Sequence, residues 1–170
     1  MSDMSSQGPF TAFINAMRHG SAKQILELGT ENTSFLLEII GLADWAPKIE
    51  LHCTDVATEA FDEGLVAAAD GTNTEFELIK HLGSEVEVND AILELAVSSP
   101  FDAIFISNAQ TAEQLLTSLM VAHDSLRSGG VVSLSVDLIT NESTALAIPT
   151  FRDMFGDTYD EPTDHLFVKL

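Results

Sequence analysis

The chain has 170 residues, 45% of them hydrophobic, and its 27 acidic against 7 basic side chains give a formal net charge of -20. This length suits one domain with a buried core, and the charge argues against nucleic acid and anionic membranes as partners, because both would repel the protein. The single cysteine, Cys53, excludes an internal disulfide and a thiolate zinc cluster.

A helical pattern precedes the first predicted strand. Its apolar residues at helical spacing are Phe10, Phe13, Ile14 and Met17. We expect this helix, within residues 1–22, to pack against a sheet formed by residues 23–170. A lid over a substrate and a homodimer contact are the alternatives. The whole chain, 1–170, is then a single domain.

Strands and helices alternate through the first half of the chain. We predict strands at 24–28 and 48–53 and helices at 35–40 and 57–69, from their apolar spacing. Segment 74–82 contains strand-forming residues, but Phe76, Ile79 and Lys80 follow helical spacing. Gly83 supplies a stop, so we predict a short helix there. Val86 and Val88 then form a short third strand.

The second half continues the alternation. Predicted strands cover 103–106, 131–138 and 165–170, and predicted helices cover 91–97, 111–126 and 144–155. Such an alternation requires parallel strands with helices on both faces, and the nearly continuous apolar strands fit a sheet buried on both sides. We therefore predict an α/β fold, a three-layer doubly wound Rossmann-like sheet. Its ligand should lie beyond the carboxyl ends of the strands, near strand one.

Four segments resemble, in the right order, class I S-adenosylmethionine-dependent methyltransferases, and more narrowly the small-molecule O-methyltransferases related to catechol O-methyltransferase. They are 25–30 (ILELGT), similar to the opening motif, 101–106 (FDAIFI), similar to the fourth strand, 126–132 (LRSGGVV), similar to the start of the fifth, and 164–169 (DHLFVK), similar to the last. The resemblance implies a seven-stranded, mostly parallel sheet with an antiparallel last strand. It also implies S-adenosylmethionine as the cofactor.

Several polar residues are candidates for binding that cofactor. Gly29 ends a strand before a helix, which brings backbone N–H groups close to a ligand, and Thr30 follows it in the motif. Asp55 follows strand two, and its carboxylate can accept hydrogen bonds from both ribose hydroxyls. Ser107, after strand four, would line the same pocket. A plain turn at Gly29 and a solvated loop acid at Asp55 are the structural alternatives.

Two further candidates come from the resemblance. Glu27 matches the acid of the first motif, which helps to hold the methionine end of the cofactor in the family. The run Asn89–Asp90–Ala91 is similar to the family's Gly-Asp-Ala, whose acid lies beside the adenine. The alternative for Asp90 is a cap on the following helix. A buried Glu27 would need a partner, because an unpaired buried charge costs several kcal/mol.

The glycine loop departs from the family pattern. The family loop has the form Gly-x-Gly-x-Gly, whereas residues 29–33 read GTENT, so only Gly29 is retained. Glu31 stands where the backbone approaches the cofactor most closely. Its charge would meet the methionine carboxylate, although it would suit the sulfonium.

The metal-binding positions of the family also differ. Neutral residues stand at the matching places, namely Ser107, Asn108, Ala109, Ser135 and Val136. They cannot replace two carboxylates around a hard divalent cation, so we expect no metal. Among the five histidines, His19 and His165 lie beside the first and last strands, and neither is an evident general base.

These observations predict metal-independent, S-adenosylmethionine-dependent methyl transfer to a small-molecule acceptor, as in an O-methyltransferase. The alternative is a degenerate methyltransferase-fold protein that acts as a binding or assembly module, because glycines and metal ligands are missing. A dinucleotide-dependent oxidoreductase fits the single-glycine loop less well. We expect a reduced, cytoplasmic setting, since residues 1–8 do not resemble a signal peptide and no apolar run approaches the roughly 18 residues of a membrane span.

Overall fold

A computed structural model describes residues 9–29, 34–54, 63–64, 66–67, 69–163 and 165–170. The strands are β1 (Gln24–Leu28), β2 (Lys48–Thr54), β3 (Glu75–His81), β4 (Phe101–Ile106), β5 (Leu126–Leu134), β6 (Tyr159–Thr163) and β7 (Leu166–Lys169). The helices are α1 (Pro9–His19), α2 (Ser34–Leu42), α3 (Glu85–Ser98), α4 (Ala112–Ser125), α5 (Val136–Thr140), α6 (Glu142–Ala145) and α7 (Ala147–Phe155). The described residues between 63 and 69 are also helical.

The seven strands form one sheet in the order β3-β2-β1-β4-β5-β7-β6. Strands β1 to β5 pair in parallel, and β7 runs antiparallel to both β5 and β6. Strand β1 lies between β2 and β4, so the chain reverses its direction of winding there, and this reversal opens a crevice at the carboxyl ends of the strands. The predicted Rossmann-like sheet with an antiparallel last strand is confirmed.

Apolar side chains cover both faces of this sheet. On one face, α1 and α2 pack against it through a cluster that includes Phe13, Met17, Leu36 and Ile39. On the other face, α3, α4 and α7 supply a cluster that includes Val88, Ile92, Leu115, Leu119 and Phe151. Helix α1 therefore packs against the sheet, with Phe13 and Met17 fully buried. Within the described residues, no helix is long and apolar enough to cross a bilayer.

The region 74–98 differs from the prediction. Residues 75–81 form β3, which pairs with β2 along its whole length, instead of a helix. As an edge strand it is only partly covered, so its apolar pattern is weak. Helix α3 then begins at a capping box, in which Ser84 and Glu87 each bond the other's backbone N–H. The predicted strand at Val86 and Val88 is therefore wrong, because both residues lie in the first turn of α3.

The region 126–163 also differs in detail. Strand β5 begins at Leu126 and ends at Leu134, so residues 136–138, predicted as the end of a strand, belong to α5. The predicted helix 144–155 is divided at Leu146 into α6 and α7. Pro149 is tolerated in the first turn of α7, where its missing N–H costs no helical hydrogen bond. The sequence pattern does not predict strand β6, because it is a short edge strand that contains Pro162.

Candidate functional site

The carboxyl ends of β1, β4 and β5 are joined by two serines. Ser107, directly after β4, donates its backbone N–H and its Oγ–H to the Leu28 carbonyl of β1, at 2.9 and 3.1 Å. Ser135, directly after β5, donates its Oγ–H to the Ser107 carbonyl at 3.0 Å. These bonds fix three neighbouring strand ends relative to one another, at the edge where a ligand is expected.

Gly29 lies at the centre of this edge in a conformation that requires glycine. Its φ is +76°, and a Cβ atom placed there would lie 3.0 Å from the backbone nitrogen of Asn108 and closer still to its carbonyl oxygen. Its backbone N–H donates to Thr54 Oγ1, at the end of β2, over 3.0 Å. Because Gly29 has no side chain, the backbones after β1 and β4 can approach this closely.

A cleft of about 280 Å³ opens beside Gly29, beyond the carboxyl ends of the strands and between α3 and α4. Side-chain amides and one carboxylate supply much of its polar surface. The lining residues are Leu28, Gly29, Thr54, Gly83, Glu85, Val88, Asn89, Asn108, Ala109, Gln110, Gln114 and Ser118. Part of this wall is held in place locally, because the Gln114 side chain accepts a hydrogen bond of 2.9 Å from the backbone N–H of Gln110. Uncharged donors and acceptors of this kind suit a polar heterocyclic ligand.

The structure brings only some of the predicted site residues to this cleft. Gly29 and Asn89 line it, whereas Ser107 lies at the strand edge with its hydroxyl directed to the Leu28 carbonyl. Glu27 is 1% exposed one residue before the carboxyl end of β1, aligned with Cys53 and Phe105. It therefore lies on the sheet face that α1 and α2 cover. Thr30 and Asp55, together with Glu31, lie outside the described residues.

The sequence predicts that Asn89 and Asp90 follow a strand, but they lie on α3. Asp90 is exposed and does not line the cleft. The positions that follow β3 at the carboxyl edge belong to Gly83 and Glu85, and both line the cleft. Asn89 still reaches the cleft because it lies one turn further along the same helix.

Residues 107–109 and 135–136, the positions where the family resemblance would place metal ligands, are uncharged, and the hydroxyls of Ser107 and Ser135 donate to backbone carbonyls. Among the residues that the structure describes, no group of three or more His, Cys, Asp and Glu side chains could hold a metal ion. Asp137, in the first turn of α5, is exposed.

The histidines occupy different edges of the sheet. His19 ends α1 just before β1 and is exposed at the amino edge, away from the cleft. His165 precedes β7 at the carboxyl edge with a φ of 64°, and its backbone N–H donates to Glu161. His52 and His81 form a pair behind the cleft, with Nδ1 and Nε2 2.9 Å apart. Burial lowers the pKa of His52 to about 4, and burial also lowers the pKa of His81.

No family model and no curated protein matches the sequence. Solved structures do match the fold. The O-methyltransferase TomG from Streptomyces achromogenes, involved in tomaymycin synthesis and crystallised with S-adenosylmethionine, is 18% identical, with 92% of this chain and 72% of that chain covered and a TM-score of 0.60. An O-methyltransferase from Bacillus cereus in complex with S-adenosylhomocysteine is 18% identical, with coverages of 94% and 73% and a TM-score of 0.55.

A third structure is larger than this chain. The methyltransferase MycE of mycinamycin biosynthesis, in complex with Mg, S-adenosylhomocysteine and mycinamycin VI, is 12% identical, with coverages of 94% and 48% and a TM-score of 0.61. The strand order, the antiparallel last strand and the cleft at the switch point thus define a Rossmann-like α/β protein. Its fold is that of the class I S-adenosylmethionine-dependent O-methyltransferases.

Proposed function

We propose that the chain binds S-adenosylmethionine at the carboxyl edge of β1 and transfers its methyl group to a small-molecule acceptor, without a metal ion. The observation that carries this proposal is the contact between the Gly29 backbone and Asn108, with a polar cleft beside it in a methyltransferase fold. A side chain at position 29 would collide with the Asn108 backbone and prevent this close approach. The described lining of the cleft fits a nucleoside better than an extended apolar ligand.

The cleft volume fits part of this cofactor. Ligand pockets usually measure about 300–1,000 Å³, and the cleft of about 280 Å³ lies just below that range. We assign the nucleoside to the cleft, where Asn89, Asn108 and Gln114 offer hydrogen-bond donors and acceptors. We propose that Asp55 binds the ribose and that Gly29 and Thr30 meet the methionine end, with the buried carboxyl of Glu27 behind them in β1.

The bound cofactor would supply an electrophilic methyl group on a sulfonium. The chain would hold this group and the acceptor nucleophile in line, and such positioning lowers the entropic part of the barrier. Carboxylates near the site, such as Glu85, complement a positive ligand. The uncharged residues after β4 and β5, with Ser107 and Ser135 bonded to carbonyls, support transfer that does not depend on a divalent cation.

A small acceptor agrees with the charge of the molecule. A chain with a net charge of -20 repels nucleic acid, which removes the commonest large anionic methyl acceptors. TomG and MycE are associated with tomaymycin and mycinamycin, which are small molecules and not macromolecules. We therefore propose a small molecule as the acceptor.

Calorimetry with S-adenosylmethionine and S-adenosylhomocysteine tests the cofactor assignment. We expect binding, with a matched pair of variants showing where it occurs. Asn89→Ala should weaken binding about tenfold because it removes a cleft amide, a loss of about 1.4 kcal/mol. Asp90→Ala, one position away on the exposed side of α3, should bind like the native chain. An excess of EDTA should leave binding and turnover unchanged.

Two results would contradict the proposal. If neither cofactor form binds at millimolar concentration, the chain is not an S-adenosylmethionine-dependent enzyme. If EDTA abolishes turnover and Mg²⁺ restores it, the metal-independent part is wrong while the cofactor assignment stands.

A further inference from the structure

Two histidines lie directly behind the wall of the cleft. His52 is on β2 and His81 ends β3, and their side chains share one face of the sheet because β2 and β3 are aligned in parallel register. Their Nδ1 and Nε2 atoms are 2.9 Å apart, and the two rings are tilted by only 16° with centroids 5.2 Å apart. The pair thus links the carboxyl ends of two neighbouring strands through side chains.

The surroundings of the pair favour two neutral rings. His52 is 1% exposed, its ring makes a T-shaped contact with Phe101 with centroids 5.0 Å apart, and its Nε2 is buried without a hydrogen-bond partner. If Nδ1 of His52 carries the proton, it donates to His81 and leaves Nε2 as a bare acceptor. The opposite tautomer would bury an unsatisfied N–H group, which is less favourable. A proton added to His81 at Nε2 would force that opposite tautomer on His52.

The pair is connected to the cleft by short covalent and hydrogen-bonded links. His81 is aligned with Thr54, which lines the cleft and accepts the hydrogen bond from the Gly29 N–H at 3.0 Å. Gly83, two residues after His81, lines the cleft as well. Any separation of the ends of β2 and β3 therefore moves Thr54 and Gly83, and with Thr54 the bond that holds Gly29.

We propose that His52 and His81 are positioning residues for the cofactor cleft, and that they hold its β2–β3 wall in place only while both rings are neutral. This inference rests on the proposed function for its ligand. Uptake of a proton by His81 reverses the bond between the rings and leaves the His52 Nε2–H group buried without a partner. This cost destabilises the paired arrangement, releases Thr54 and Gly83, and lowers the affinity for S-adenosylmethionine and S-adenosylhomocysteine. Neither ring touches the ligand, so the effect passes through the wall.

The carboxylates around the pair raise the histidine pKa values less than burial lowers them. Glu77, on the same face of β3, favours the protonated form of His52, and Glu50 shares that face of β2. Helix α3 packs on β3 and carries Glu85 and Glu87 in its first turn, where Glu87 is held by the backbone N–H of Ser84. From β4 the neighbour is the apolar Phe101. Burial outweighs these carboxylates and lowers the pKa of both rings.

The affinity for the cofactor should fall as the pH falls. The folded protein with an intact cleft binds fewer protons than an open or unfolded chain between the usual histidine pKa of about 6.5 and the folded value for His52 of about 4. Affinity contributed by the pair is therefore fully present above about pH 6.5 and is lost as the pH falls through that window. The limit for one linked proton is about tenfold per pH unit.

Calorimetry with S-adenosylhomocysteine between about pH 7.5 and pH 5 tests the proposal, because that range runs from above the window of proton uptake into its upper part. The native chain should lose affinity on acidification. His81→Gln keeps an amide within reach of His52 but does not titrate, so its affinity should fall much less than that of the native chain between neutral and acid pH. His19→Gln, at the exposed amino edge, should behave like the native chain. An identical pH profile for native chain and His81→Gln would overturn the inference.

A second readout separates this inference from the proposed function. Amide hydrogen exchange of Gly29, corrected for the intrinsic effect of pH, reports the bond to Thr54 without any ligand. Its protection should fall on acidification in the native chain and persist in His81→Gln. If S-adenosylhomocysteine binds at no pH but this difference is present, the proposed function fails and the positioning role stands. Equal protection in both proteins would overturn the positioning role.

Discussion

At the scale of single residues, Gly29 decides whether the strand ends can meet. Its φ lies in the left-handed region, and an added Cβ would collide with the carbonyl oxygen of Asn108, which is backbone and cannot rotate away. We expect Gly29→Ala to destabilise the fold by about 3 kcal/mol, from backbone strain and displacement of the β4 end. Urea unfolding measures this loss, and cofactor binding should be lost with it.

A glycine on a helix provides the matched control. Gly41 lies inside α2, and a Cβ there would meet nothing within 4 Å. Gly41→Ala should therefore stabilise the chain by about 0.5–1 kcal/mol through helix propensity. If Gly29→Ala unfolds at the same urea concentration as the native chain, the close contact with Asn108 does not exist in solution.

The sequence predicts the residues that follow clear strands and misses those that follow a weak one. Gly29 is found because β1 is short, apolar and ends in glycine. Gly83 and Glu85 are missed because the spacing within β3 favours a helix, which moves the expected strand end to Asn89. Asn108 is the second residue after β4, next to Ser107, so the sequence places it near the site. Its close approach to Gly29, however, depends on how two chain segments cross.

At the scale of elements, the amino ends of three strands are joined by Asp102. Its carboxylate accepts hydrogen bonds from the backbone N–H groups of Lys23 and Gln24, at 2.8 and 2.9 Å, and from Arg127 Nε. The Asp102 side chain is only 19% exposed, so these bonds are partly shielded from water. The contact links β4 to β1 and to the start of β5, at the edge opposite the cleft.

Removing the Asp102 charge should weaken the link between the amino ends of β1, β4 and β5. Asp102→Asn places an amide donor among three donors, and we expect a loss of about 1–3 kcal/mol in the free energy of unfolding. Asp44→Asn is the control, because the Asp44 side chain in its ion pair with Arg18 is 74% exposed. It should cost less than about 1 kcal/mol. Equal effects of the two variants, measured by urea unfolding, would show that Asp102 does not join the strands.

The predicted elements also show where a sequence pattern fails. Buried central strands such as β1 and β4 are mostly apolar and are located correctly to within two residues. The edge strands β3 and β6 have one or both faces partly exposed, so their composition resembles a helix or a loop. Their strand conformation is set by hydrogen bonding to β2 and β7, which are distant or later in the sequence.

At the scale of the whole molecule, the charge of -20 has a measurable consequence. In the described part of the chain, the ion pairs are Arg18–Asp44, Lys48–Glu77, Arg127–Asp102 and Arg152–Glu161. With 27 acidic and 7 basic residues, most carboxylates have no cation to pair with even if every base is used. Mutual repulsion among them opposes the compact state.

Salt should therefore stabilise the fold. Raising the ionic strength from about 0.15 to 1 M shortens the screening length from about 8 to 3 Å and so weakens repulsion between exposed carboxylates. We expect the melting temperature to rise by about 4–8 °C in molar KCl, which corresponds to about 2 kcal/mol for a chain of this size.

A variant with fewer exposed acids provides the comparison. The changes Asp90→Asn, Glu94→Gln and Glu113→Gln, at three exposed positions on α3 and α4, should raise the melting temperature at low salt and reduce its increase in KCl. A melting temperature that stays constant or falls with KCl would show that the acidity serves solubility alone. Parallel melts in sucrose at matched osmolality separate screening of charge from the general exclusion of solutes, because sucrose should raise the melting temperatures of both proteins equally.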